Sequence, residues 1–369
     1  MTTADLFPNS LPVTTAMRRT ASGREWLLRL PALVEELRQR WELRLGAPYH
    51  GGSCSWVAPA ERTDGARAVL KVTWPHREAR PEGEVLRLWA GEGAVLVLEH
   101  DPQLYALLLE RCEPGTQLGE ALQLTAEERL VAGAGVLRAL WEAGRDRRPG
   151  RDSTVELLAD ATGGLADLLD ERAGRYEWPS SVDTGLFPRA SALLRELPRT
   201  APLETVVHGD FNPGNVLAAR RRPWLAIDAK PLYGDAAFDP WPLIQQVDDP
   251  FAHPSPQRVL ARRTELVAGE LGADVDRVRA WAMARLVEFA LWQLDVGGDG
   301  SGASGGDGCG RGSGDGSGDA GEGGGGAGEG GWGAPRSVGG GGATRPGVEL
   351  AQSVRLLQQA RSLAELAGL

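Results

Sequence analysis

The chain has 369 residues, 42% of them hydrophobic, enough to bury the core of one two-lobed enzyme or of two modest domains. Fifty acidic residues against 40 basic ones give a formal charge of −10, the wrong sign for a nucleic-acid binder and a suitable one for attracting a small cation. No run reaches the roughly 18 apolar residues of a membrane span and no basic cluster leads an apolar stretch near Asp5 and Pro8, so a cytoplasmic protein without membrane contact is expected.

Cys54, Cys112 and Cys309 lack the paired spacing of a zinc site or a disulfide framework and read as free thiols. Leu30, Leu33, Val34, Leu37, Trp41 and Leu45 recur at helical spacing around Pro31, a residue suited to a first turn, so an amphipathic helix opens the fold. Gly51-Gly52-Ser53 then leads into Cys54-Ser55-Trp56-Val57, a Thr63-Asp64-Gly65 turn and the apolar stretch 68–72, a hairpin pattern. Residues 82–89 return to helical spacing, and 94–98 and 105–109 read as two more strands. Together, 1–109 form a small lobe of sheet and helix.

Glu110-Arg111-Cys112-Glu113-Pro114-Gly115 breaks the pattern, and 110–115 is expected to be a hinge. Segments 122–144, 155–172, 191–197 and 275–294 are helical in period, which makes 116–296 a mostly helical large lobe. From 297 to 347 glycine, serine and aspartate dominate, with almost nothing to bury, so a flexible loop or linker is expected. In 348–369, Leu350, Val354, Leu357, Ala360 and Leu363 restore a helix that either docks on the large lobe or dimerises. The fold class is α+β and bilobal, a small antiparallel sheet beside a helical lobe, and a monomer is favoured.

The chemistry concentrates in Val206-Val207-His208-Gly209-Asp210-Phe211-Asn212-Pro213-Gly214-Asn215-Val216-Leu217, followed by Leu225-Ala226-Ile227-Asp228. Carboxylate, carboxamide and carboxylate stand in the order that phosphoryl transfer from a metal-bound nucleotide uses. Asp210 is the group to orient a hydroxyl and take its proton, Asn215 and Asp228 the pair to hold Mg2+, and His208 a brace for the loop. Apolar residues on both sides mark short buried strands that fix the loop. Lys71, on an apolar strand, is the candidate to pair the phosphates of ATP. Glu78, Glu82 and Glu84 compete as its acidic partner, and Glu84, next to Val85, Leu86, Leu88 and Trp89, is the expected one. Gly51, Gly52 and Ser53 form either a plain turn or a loop whose amides approach phosphate.

This pattern resembles the catalytic loop of the aminoglycoside phosphotransferases, the small-molecule branch of the kinase-like fold. His50-Gly51-Gly52-Ser53, Leu86-Arg87-Leu88-Trp89 and Asp228-Ala229-Lys230-Pro231-Leu232-Tyr233-Gly234-Asp235 narrow the likeness to the group of streptomycin 6-phosphotransferases and hydroxyurea-resistance kinases. The resemblance spans roughly 30–296. It implies an ATP- and Mg2+-dependent phosphotransferase acting on a hydroxyl of a cationic aminoglycoside, with adenine against the hinge backbone at Glu110 and Cys112. It also makes Asp239 a brace of the catalytic loop. Asp228-Ala229-Lys230 departs from the Asp-Phe-Gly of protein kinases, so their phenylalanine switch is not expected. The stretch from Asp228 to Asp239 is also too short for a peptide-binding activation segment.

For the acceptor, Asp235 is open to a contact or a structural role. Glu288, Asp295 and Trp292 share one helix face that is either solvated or a wall for guanidinium and ammonium groups. A kinase of another small alcohol, such as hydroxyurea, choline or a sugar, is the nearest rival. A silent nucleotide-binding module is the rival of another class, against which stand the intact Lys71, Asp210, Asn215 and Asp228.

Overall fold

The computed structural model describes residues 3–298 and 346–369. Three helices open the chain, α1 Thr3–Leu6, α2 Pro12–Met17 and α3 Ala21–Arg40. The Thr20 hydroxyl accepts the Gly23 N–H at 3.0 Å and caps α3, which leaves Pro31 in the helix interior. The first-turn reading of Pro31 is thereby corrected. A cap that satisfies an orphan N–H sets where a helix starts, whereas a proline inside removes one bond that burial can offset.

β1 Leu43–Leu45, β2 Ser55–Arg62 and β3 Arg67–Thr73 are followed by α4 Glu82–Trp89, β4 Val97–Asp101 and β5 Ala106–Glu110. The strands form one antiparallel sheet in the order β1-β2-β3-β5-β4. At the β2–β3 turn Gly65 has φ +82° and the Asp64 carboxylate accepts the Ala66 N–H at 2.9 Å, the chemistry that Asp-Gly supplies in a hairpin. Strand alternation divides the sheet. Leu70, Val72, Ala106 and Leu108 pack under Trp26, Leu30, Val34 and Leu37 of α3, whereas Leu107 and Leu109 join the core that holds Val85, Leu86 and Trp89 of α4. Lys71, between Leu70 and Val72 and opposite Leu107 in the ladder, must therefore point toward the α4 side.

Beyond β5 the chain enters the helical lobe: α5 Ala126–Gly144, β6 Glu156–Leu157, α6 Leu158–Ala173, α7 Leu186–Glu196, β7 Glu204–Val207, β8 Val216–Ala218, β9 Trp224–Ala226, β10 Leu232–Asp235, α8 Pro240–Gln246, α9 Pro256–Leu271, α10 Val275–Gly298 and α11 Pro346–Leu366. A reciprocal capping box of Thr125 and Glu128 starts α5. β10 pairs with β6 in parallel and with β7 antiparallel, and β8 and β9 form a hairpin. That hairpin fastens the lobes together. Ala218 exchanges backbone bonds with Thr116 and Gly115, both at 2.9 Å, and Ala226 bonds Gly93 at 2.8 Å and Val95 at 3.1 Å.

α10 is buried on every side, through Val278, Trp281, Ala282, Ala284, Val287, Ala290 and Leu291. Leu357, Ala360, Leu363 and Ala364 of α11 belong to the same core, so the closing helix docks on the large lobe. The glycine-rich stretch expected to be flexible lies outside the described residues except at its ends. Cys112 is a free thiol, as expected, and Cys309 lies outside the described residues. Among the described residues no helix is long and apolar enough to cross a membrane.

Candidate active site

β7 ends in Val206 and Val207, both buried, and delivers the chain into the His208–Asn215 loop. Asp239, fully buried at the start of α8, anchors that loop: its carboxylate accepts His208 N–H at 2.7 Å, Gly209 N–H at 2.8 Å and the Trp141 indole N–H at 3.3 Å. Gly209 has φ +82°, and a Cβ there would fall 2.0 Å from the Lys230 carbonyl oxygen, so only glycine fits. The His208 ring stacks on Trp89, its Nε2–H donating to the Ile227 carbonyl at 3.1 Å while Nδ1 accepts the Asp210 N–H at 3.3 Å. Burial lowers its pKa, so the imidazole is a neutral brace.

Asp210 is thus held from its backbone. Its Oδ1 accepts the Asn212 carboxamide at 3.1 Å and its Oδ2 the Lys230 ammonium at 3.0 Å. Burial works to raise its pKa, but Lys230 and Asn212 outweigh it and keep the carboxylate ionised below its ordinary range. The Asn215 amide nitrogen donates to the Asp210 carbonyl at 3.0 Å, which leaves its Oδ1 with no protein donor among the described residues. The Asn215 carbonyl in turn accepts the Ile227 N–H at 2.9 Å, registering this loop against the end of β9 and hence against Asp228.

Asp228 has φ +59° and a half-exposed side chain. Lys71 reaches it across the cleft at 2.7 Å and simultaneously bonds both Glu82 oxygens at 2.7 Å. Lys71 holds the Asp228 carboxyl well below the usual range, by charge first. For Lys71 itself burial favours the neutral amine, and the Asp228 and Glu82 carboxylates more than offset it, so it stays an ammonium.

Glu82, not Glu84, is therefore the partner of Lys71. Glu82 lies three, four and seven residues before the buried Val85, Leu86 and Trp89, on the same helix face, whereas Glu84 is turned away from them. Glu84 instead receives the Ser153 hydroxyl and the Thr154 N–H and hydroxyl, tying α4 to the large lobe.

The other candidates separate. Gly51 and Gly52 are exposed in the loop that closes β1 onto β2; a Cβ on Gly51 would meet nothing within 4 Å, and Gly52 has φ +78°. Ser53 precedes the Ser55–Thr73 pair, two residues along the ladder from Val57 and Lys71. At the hinge the Glu110 side chain is engaged by Arg221 at 2.9 Å and the Leu96 N–H at 3.1 Å, so it is not free for a nucleotide. Burial and the neighbouring Glu110 push the Cys112 thiol up to about 12, and the Cys112 backbone has no protein hydrogen-bond partner among the described residues.

Two acceptor candidates need correction. Asp235 is fully buried, its oxygens taken by Arg277 at 2.7 Å, Trp281 at 2.6 Å and the Ala237 N–H at 3.1 Å, so it braces α10 against β10. Glu288 is 2% exposed and faces Arg172 of α6 at 3.5 Å, inside the helical packing and not on a solvated face. Trp292 stacks on Phe289 at 5.9 Å within the same helix. The Asp295 side chain lies outside the described ones.

The sequence reading missed Glu82 in favour of Glu84, and it missed Lys230 and Asn212. A lysine two residues from a site acid, in an otherwise apolar run, was the available signal for Lys230. Among the described residues no three His, Cys, Asp or Glu side chains could hold a metal by themselves. Asn215 Oδ1 and the Asp228 carboxylate nevertheless fit magnesium, which takes one or two protein oxygens and fills its shell with water and phosphate.

The model of the aminoglycoside/hydroxyurea antibiotic resistance kinases matches residues 40–297. Streptomycin 6-kinase of Streptomyces glaucescens is 37% identical over 293 residues, 79% of this chain and 91% of that protein. Streptomycin 6-kinase of Streptomyces griseus is 35% identical over 286 residues, 74% and 86% of the two chains. Hydroxyurea phosphotransferase of Kitasatospora aureofaciens is 35% identical over 277 residues, 75% and 77%. With a two-lobed fold and a loop built on Asp210, Asn215 and Asp228 beneath a paired lysine, the chain belongs to the aminoglycoside/hydroxyurea antibiotic resistance kinases.

Proposed function

We propose that this kinase transfers the γ-phosphoryl group of ATP to a hydroxyl of a cationic aminoglycoside, the 6-hydroxyl of streptomycin. The observation that carries the reading is the Lys71 ammonium held at 2.7 Å by Glu82 and by Asp228, beside a loop that holds Asp210 and an Asn215 Oδ1 without a protein donor among the described residues. Lys71 binds the α- and β-phosphates, the Cys112 backbone offers its unpaired N–H and C=O to adenine, and Asp210 receives the acceptor hydroxyl. Magnesium, held by Asn215 and Asp228, supplies charge neutralisation along the phosphates. A carboxylate kept below its ordinary pKa is a weak base, so Asp210 orients the hydroxyl first and takes its proton late in the transfer. The net charge of −10 favours a cationic acceptor. Glu288 and Asp235 are too deeply buried to contribute to that preference.

ADP release by the purified full-length chain, measured with streptomycin, other aminoglycosides, hydroxyurea and choline, tests the acceptor. Stimulation by streptomycin is the expected result. The near-equal identity to hydroxyurea phosphotransferase favours hydroxyurea as the second reading, and stimulation by hydroxyurea alone would replace the first.

The pairing of Lys71 gives a further test. Glu82→Gln should lower kcat/KM for ATP about 10- to 100-fold, because a displaced Lys71 misplaces the phosphates. Glu84→Gln keeps an oxygen for Thr154 and should cost about 1 kcal/mol of stability with little loss of turnover. The reverse order in steady-state kinetics would return the pairing role to Glu84.

A further inference from the structure

Lys230 contributes to this site in a way that positioning Asp210 does not exhaust. Its Nζ donates to Asp210 Oδ2 at 3.0 Å, one bond from a group with three protons to give, and its side chain is 14% exposed. The other Asp210 oxygen is already fixed by Asn212. The Lys230 backbone is pinned as well: its N–H donates to the His208 carbonyl at 2.9 Å, and its own carbonyl lies where any Cβ on Gly209 would collide. Loop and lysine thus move as one piece.

The surrounding charges point the same way. Asp228 feels both Lys71 and Lys230, one from each lobe, so the cation site between Asn215 and Asp228 is flanked by two ammonium groups. Lys71 is paired with both Glu82 and Asp228, whereas Lys230 makes one side-chain hydrogen bond to protein among the described residues, to Asp210, with Glu78 and Asp228 the other acids near enough to act on it. Charge that develops on the equatorial oxygens of a transferring phosphoryl group is stabilised by donors already in place.

We propose that Lys230 is a catalytic residue whose remaining N–H groups contact the oxygens of the transferred phosphoryl group, bridging it to Asp210; this rests on the phosphotransferase reading above. In the transfer a bond forms between the acceptor oxygen and the γ-phosphorus, the bond from that phosphorus to the β–γ bridging oxygen breaks, and its electron pair leaves with ADP. The acceptor proton goes to Asp210. Lys230 gives up none.

The test uses full-length Lys230→Met, Lys230→Gln and Lys230→Arg, alone and combined with Asp210→Asn, read with ATP and streptomycin and by slow ATP hydrolysis without acceptor. Lys230→Met and Lys230→Gln should each lower kcat about 100- to 1,000-fold with nucleotide affinity nearly unchanged, and arginine should recover part of the loss. In the Asp210→Asn background Lys230→Met should still cost about tenfold or more, in hydrolysis as well as in transfer. No further loss in that background would reduce Lys230 to a brace of Asp210 and overturn the proposal. So would near-native turnover of the two neutral variants while Asp210→Asn is inactive. Native turnover of Asp210→Asn itself would instead bring down the role of Asp210 on which the proposal rests.

Discussion

Asp210→Asn should lower kcat about 100- to 10,000-fold and leave nucleotide affinity within about threefold of native. The loop does not depend on this side chain for its shape: His208 and Gly209 hang from Asp239, and Asn215 bonds the Asp210 carbonyl, not its carboxylate. Asparagine fills the same volume, and its oxygen can keep the Asn212 bond, so the cation pair Asn215 and Asp228 and the lysine above them stay in place. What is lost is the carboxylate that takes the acceptor hydroxyl, and its amide replacement turns a donor toward the Lys230 ammonium. The measurement is coupled ADP release beside direct titration with ATP. Turnover within tenfold of native would show that the hydroxyl is oriented by some other group.

The parts of this molecule legible in the sequence are those where a local rule and the tertiary fold agree. Strand alternation around Leu70, Lys71 and Val72 and the Asp64-Gly65 turn suffice to place Lys71 on the inner face. The loop from His208 to Asn215 could be read because its glycine and its polar spacing leave few other uses. Misreadings arose where a residue's neighbour in sequence was taken for its neighbour on the helix. Glu84 adjoins Val85 and Leu86 in the chain, yet it is Glu82 that shares their face. α10 shows a different failure: an acidic residue on a long helix suggests a wet side, but the middle of this helix is enclosed by its neighbours all round, so Glu288 goes inward with Arg172. Lys230 had only its closeness to Asp228 in the sequence to mark it. Its importance depends on a backbone contact with Gly209, and no spacing rule encodes that.

Asp239→Ala should be among the most destabilising single changes in the chain, about 3–5 kcal/mol. The carboxylate is completely buried, and burial pushes its pKa up against the three N–H donors that favour the charged form. Alanine strands the His208 and Gly209 amides and the Trp141 indole without an acceptor. It also removes the counter-charge of Arg285, which burial already pulls down to about 10 and whose Nε and Nη2 find no hydrogen-bond partner among the described residues. Asp239→Asn should lie between alanine and native, since one amide oxygen can serve His208 and Trp141 while the NH2 group opposes the Gly209 N–H. Turnover should fall in the same order, because the Gly209 amide directly precedes Asp210 and any slack in the loop moves the carboxylate. Urea denaturation gives the ranking. An alanine variant within about 1 kcal/mol of native would mean that water replaces the lost acceptor, and the loop would then owe its rigidity to Gly209 packed on Lys230 and to the His208 ring between Trp89 and Phe211.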